Sequence, residues 1–206
     1  MTQVKYEVSP LFAEPIFRAD IGHAISDAQI DYLKNLPMIQ NRTNFISDNL
    51  YIFNEPEMAS IKHAVHEVLD VYAREVMGIS QKLYVTQSWT LKNQQNIGMH
   101  GHTHSNSLIS GSLYFCDLPP EGGRMIFDRN RTYQQLQLPP EDGKQNLYNA
   151  PMNVITPKKN EILLFSSSLQ HLVESNMSAQ TRYSIAFNTF LKGTIGNYRD
   201  VSVLEL

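Results

Sequence analysis

Among the 206 residues there is one cysteine, Cys116, so no intramolecular disulfide can form and a thiolate metal cluster is excluded. Any bound metal must rest on nitrogen and oxygen ligands. Cys116 itself reads as a buried, inert thiol. Runs of Lys and Arg are missing too, and the formal net charge is only -3, which removes the electrostatic case for nucleic acid or an anionic membrane surface. No segment approaches the roughly 20 apolar residues of a membrane span, and MTQVKYEVSPLF lacks a basic start followed by an apolar run. The expectation is a soluble cytoplasmic protein whose partner is a small molecule or another protein.

What is present is enough apolar sequence, 42% of the chain, for a sizeable core, and we expect one domain spanning residues 1–206. Its beginning, Leu11 to Ile21, has extended character, with Pro15 confining it to an edge strand or an arm. Ser26 and Gln29 have the spacing of a capping box, and Ile30, Leu33 and Leu36 follow at helical intervals until Pro37. Residues 38–54 read as a packed connection. Pro56 then opens the clearest helix, where Met58, Ile61, Val65, Val68, Tyr72 and Val76 recur at three-and-four spacing up to Gly78. His63 and His66 lie in it as surface histidines.

From Leu83 the period becomes two, and strands follow to the end of the chain: Leu83 to Leu91, the apolar run after Leu108, Arg124 to Phe127, Met152 to Ile155, Glu161 to Ser166, His171 to Val173 and Arg182 to Leu191. Residues 129–150 are polar, carry Pro139-Pro140 and Gly143, and read as a lid or a disordered loop. Helical support over 22–78 followed by short antiparallel strands over about 80–192 predicts an α+β, mainly β chain. Its core would be a jelly roll, or the related double-stranded β-helix of cupin-like proteins, backed by one or two N-terminal helices. The apolar tail VSVLEL could pair across a symmetric edge to give a homodimer.

The chemistry concentrates in NIGMHGHTHSNSLISGSLYFCD, Asn96 to Asp117. His100, His102 and His104 alternate with Gly and Thr, so in an extended chain all three imidazoles share one face. They run into a segment that reads as a buried strand, which can hold ligands rigidly. His171, at the end of another apolar strand, is a further candidate ligand, and Arg182 starts the next strand with Ser184 on its face. An Arg there could fork a carboxylate.

Taken in order, Ser88-Trp89, His102 to His104, Ser110 to Phe115 (SGSLYF), Leu164 to His171 (LFSSSLQH) and Arg182 to Asn188 (RYSIAFN) resemble the 2-oxoglutarate- and Fe(II)-dependent oxygenase superfamily. The resemblance is to the small group related to prolyl hydroxylases and covers roughly residues 80–192. It implies Fe(II) as metal, 2-oxoglutarate as cosubstrate and molecular oxygen as oxidant, with hydroxylation as the default outcome. Carried over by position, His102 and His171 become iron ligands. Arg182 and Ser184 bind the far carboxylate of 2-oxoglutarate, and Tyr114 adds a hydroxyl.

His104 departs from the pattern, because most of the superfamily places Asp or Glu two residues after the first histidine. Ligation by His104 would make a neutral three-histidine site. If His104 does not ligate, an open position could admit water or halide, and Asp128 is the nearest later carboxylate to inspect. His100 and Trp89 read as neighbours of the ligands. Three rival readings stay open: a cupin-like three-histidine dioxygenase without 2-oxoglutarate, a zinc hydrolase, and a non-catalytic metal-binding jelly-roll module. The substrate, whether a small metabolite or a protein side chain, is not written in the sequence.

Overall fold

The computed structural model describes residues 4–129 and 140–206. The chain enters through strand β1 (Phe17–Asp20) and helix α1 (Asp27–Lys34). Ser26 caps that helix, its hydroxyl accepting from the Gln29 N–H while the Gln29 side chain accepts from the Ser26 N–H. Such a box satisfies two otherwise orphaned donors, and losing its hydroxyl costs about 1 kcal/mol. Residues 38–54, expected as a connection, instead carry a hairpin of β2 (Met38–Gln40) and β3 (Phe45–Ser47). A single helical turn at Pro56–Met58 leads into α2 (Ala59–Val71), whose last turns widen into a π-helix over Tyr72–Val76.

The remaining strands are β4 (Lys82–Asn93), β5 (Met99–His102), β6 (Ile109–Tyr114), β7 (Met125–Asp128), β8 (Met152–Ile155), β9 (Glu161–Ser166), β10 (His171–Val173), β11 (Arg182–Lys192), β12 (Thr194–Ile195) and β13 (Leu204–Glu205). They form a seven-stranded sheet in the order β1-β9-β6-β11-β4-β3-β2, a four-stranded sheet β5-β10-β7-β8, and the small pair β12-β13. The ladders between these strands are antiparallel. This is the mainly β, double-stranded β-helix architecture that the sequence predicted. The tail read as a symmetric edge pairs within its own chain, Leu204 opposite Ile195. The loop expected over 129–150 falls partly on residues 130–139, outside the described residues. Over 140–150 the chain forms turns, with the Arg129 guanidinium donating to the carbonyls of Leu147 and Tyr148.

Two apolar clusters sit on opposite faces of the large sheet. On the outer face Ile61, Val65 and Leu69 of α2 pack with Leu113, Ile162, Leu164, Ile185 and Phe187. On the inner face Tyr114, Leu163 and Phe165 meet Met125 and Phe127 of the small sheet. The central strands β6 and β9 are therefore buried on both sides. Gly111 belongs to this packing, because a Cβ there would overlap the Phe187 ring. The helices insulate one face, and the space between the two sheets is left for chemistry.

Candidate functional site

β5 and β10 are neighbours in the small sheet, and their register sets His102 directly opposite His171. The His102 and His171 rings lie 4.4 Å apart between centroids. His104, past the end of β5, is fixed otherwise: its backbone N–H donates to the Ser167 carbonyl at 2.9 Å. The Ser167 hydroxyl in turn lies 2.8 Å from those of Ser110 and Ser107, tying the histidine loop to the end of β9. One potential ligand atom from each of His102, His104 and His171 lies within 4.8 Å of the other two.

Hydrogen bonding decides which nitrogens are free. His102 Nδ1 lies 2.8 Å from the His100 carbonyl, and His171 Nδ1 lies 3.0 Å from that of Leu169. A carbonyl can only accept, so both Nδ1 atoms carry the proton and both Nε2 atoms keep their lone pairs. His171 Nε2 then faces His104 Nε2 at 3.3 Å. With its own Nε2 unprotonated, His171 accepts here from a hydrogen on His104 Nε2, and a cation in place of that hydrogen would meet both nitrogens once His104 carries its hydrogen on Nδ1; backbone partners of this kind orient metal-ligating imidazoles.

Burial supports the same state of charge. His171 is 4% exposed, and burial holds its imidazole down to about 4. For His104 burial, reinforced by the facing His171 and His102, gives about 3. His102 is lowered as well, again chiefly by burial. The site offers three neutral nitrogen donors, a set that suits iron or another borderline metal.

The cavity behind them is lined by Trp89, Leu91, Asn93, Tyr114, Arg182 and Ser184, among others. Arg182 is 1% exposed, donating to the Ser184 hydroxyl at 3.4 Å and the Tyr114 hydroxyl at 3.2 Å. Its guanidinium also rests 5.2 Å from the Tyr114 ring centroid. Nε has no hydrogen-bond partner and, among the described residues, no carboxylate pairs with the guanidinium. A buried cation left in this condition costs several kcal/mol, which an anion bound in the cavity would offset.

Of the residues singled out in the sequence, His102, His104, His171, Arg182, Ser184, Tyr114 and Trp89 line this one cavity. His100 is exposed and not in the lining, its ring 5.5 Å from that of His102. Asp128 is not in the lining, and its carboxylate accepts instead from Gln170. Cys116 is half-buried, not buried, and burial raises its thiol above the usual range. His63 faces Glu67 on the exposed side of α2. Sequence reasoning did not single out Ser107, Ser110 and Ser167, nor the buried amides of Asn44 and Asn93, which also line the cavity and bond to each other at 3.2 Å. The SSS run before His171 was the only signal for the hydroxyl cluster.

Residues 87–188, which include all three histidines and Arg182, match a family model described as "Putative 2OG-Fe(II) oxygenase". No curated protein matches the chain. Among solved structures, HygX from Streptomyces hygroscopicus, with nickel and 2-oxoglutarate bound, is 13% identical with a TM-score of 0.60, over 85% of this chain and 82% of that one. A prolyl hydroxylase from Trichoplax adhaerens, in complex with a hypoxia-inducible factor peptide fragment, is 14% identical at 0.59, over 85% and 83%. A prolyl-4-hydroxylase from Pseudomonas putida is 9% identical at 0.58, over 87% and 94%. These likenesses establish the shared fold. The family match spans the segment that carries the three histidines and Arg182, and there the chain resembles the 2-oxoglutarate- and Fe(II)-dependent oxygenases.

Proposed function

We propose that His102, His104 and His171 together hold the Fe(II), and that Arg182, with Ser184 and Tyr114, binds the far carboxylate of 2-oxoglutarate. The observation that carries this reading is one cavity in which three neutral imidazoles converge beside a buried guanidinium with no carboxylate partner. When bound, iron and cosubstrate supply the coupled oxidative decarboxylation of 2-oxoglutarate and oxidation of an unreactive C–H bond. The protein's own contribution is position: the carbonyls of His100 and Leu169 keep two Nε2 atoms aimed inward, and the Ser167 carbonyl anchors the third histidine. Phe165, edge-on to His171 at 4.6 Å, and Phe127, at 6.0 Å, keep water from that ligand.

Hydroxylation of a small molecule or a protein side chain is the reaction we assign. A three-histidine dioxygenase without 2-oxoglutarate would accept the same donor set, but it leaves Arg182 buried without an anion. Anaerobic addition of Fe(II) and then 2-oxoglutarate distinguishes the two. A weak visible metal-to-ligand charge-transfer band that needs both reagents, and that is lost in His171→Ala and Arg182→Ala, is the expected result. Metal binding with no response to 2-oxoglutarate overturns the proposal.

A further inference from the structure

The hairpin between β2 and β3 brings a second cation beside the histidine segment, outside the lining of the cavity. Arg42 sits at its turn, exposed, with Nη1 3.4 Å from His100 Nε2. Thr43 donates to the carbonyl of Gly98, just before β5, at 3.0 Å, and Asn44, which lines the cavity, donates to Asn93 of β4, so the hairpin turn is pinned on both sides. A guanidinium only donates, so His100 Nε2 is the acceptor and His100 Nδ1 carries a hydrogen. The pair therefore presents N–H groups only, within one ring spacing of His102. Among the described residues Arg42 makes no ion pair.

The cavity's charge balance points the same way. Among the described residues its lining contains neither Asp nor Glu. A metal dication on three neutral imidazoles, plus Arg182, carries one more positive charge than a 2-oxoglutarate dianion cancels. A carboxylate among the metal ligands would have removed that excess, and His104 does not. Beside this, Trp89, Leu91 and Met99 give the cavity an apolar wall.

We propose that the substrate is an anion with an apolar body, and that Arg42 and His100 bind its carboxylate or phosphate group beside the histidine segment. The proposal rests on the oxygenase reading above for the charge of the filled site. Charge-assisted bonds to a guanidinium are short-range and directional, so both residues act as specificity determinants without touching the metal.

The test uses the full chain loaded with Ni(II) and saturating 2-oxoglutarate, titrated calorimetrically with N-acetyl-glutamate amide, N-acetyl-phosphoserine amide and N-acetyl-glutamine amide. At least one acidic probe should bind roughly tenfold more tightly than the glutamine probe, and the tighter of the two identifies carboxylate or phosphate. Arg42→Ala should erase the preference while leaving 2-oxoglutarate affinity within about twofold, and Arg42→Lys should restore part of it. Equal binding of acid and amide by the unaltered protein, a preference that survives Arg42→Ala, or a parallel fall in 2-oxoglutarate affinity overturns the proposal. Failure of the unaltered protein to bind 2-oxoglutarate overturns the oxygenase reading instead.

Discussion

Protonating His104 or His171 would place a cation among other imidazoles in a buried site, so both stay neutral until about 3 and about 4. In the unfolded chain they take up protons near 6.5. The unfolded state therefore binds more protons between those limits, and stability falls as pH drops from 6.5 through about 4. The urea midpoint of the metal-free protein should decline across that window and be level above it. A midpoint unchanged down to pH 4.5 would show that the imidazoles are not buried as described. Arg182 makes the opposite kind of prediction. Arg182→Met removes an uncompensated buried cation, so it should leave metal-free stability unchanged or raise it by roughly 1–4 kcal/mol, while 2-oxoglutarate binding falls at least tenfold. For His171→Ala, calorimetry should show a larger loss of metal affinity than the roughly 10–100-fold cost of removing an orienting partner.

Elements position these residues, and elements were legible in proportion to their length. The twelve-residue β4 declares its period of two, and α2 its three-and-four spacing, because each repeats the pattern several times. The three-residue strands β2 and β3 cannot repeat anything, and NRTN between them reads as plain loop. Asn44 and Arg42 were missed with that hairpin. The histidine segment was half-legible: alternation put three imidazoles on one face, but β5 and β6 belong to different sheets, and only the serine hydroxyls and the Ser167 carbonyl explain how His104 turns inward. Packing at the β6–β11 contact yields a prediction at this scale. Gly111→Ala forces a methyl into the Phe187 ring and should cost about 1–3 kcal/mol in chemical denaturation, with part of the loss recovered by adding Phe187→Leu.

At the scale of the whole molecule, the site joins residues from β4, β5, β6, β10 and β11, far apart in the chain, and no local pattern states which of them meet. Register did that: His102 opposite His171, and Arg182 opposite Asn93. The order of the motifs supplied by resemblance what periodicity could not. Filling the site should be visible globally, since a ligand that binds only the folded chain at 100 times its Kd adds about 2.7 kcal/mol, or roughly 5–10 °C in midpoint for a chain of this size. Ni(II) and 2-oxoglutarate should each give such a step in a thermal melt, and Arg182→Ala should retain only the first.

Along β11 the inward residues Arg182, Ser184 and Ala186 face the cavity, and Ile185 and Phe187 face the helices. The cavity takes the even numbers there and the helix-side core the odd ones. In β9 the assignment is reversed, with Leu163 and Phe165 inward and Ile162 and Leu164 outward. Deleting a single residue inside β11 would exchange the two sets, sending a guanidinium into the helical core and an aromatic ring into the cavity. Such a strand tolerates substitution position by position, yet has almost no tolerance for a change in length. Natural variation in this part of the chain should be written in replacements alone, with insertions and deletions confined to the connections.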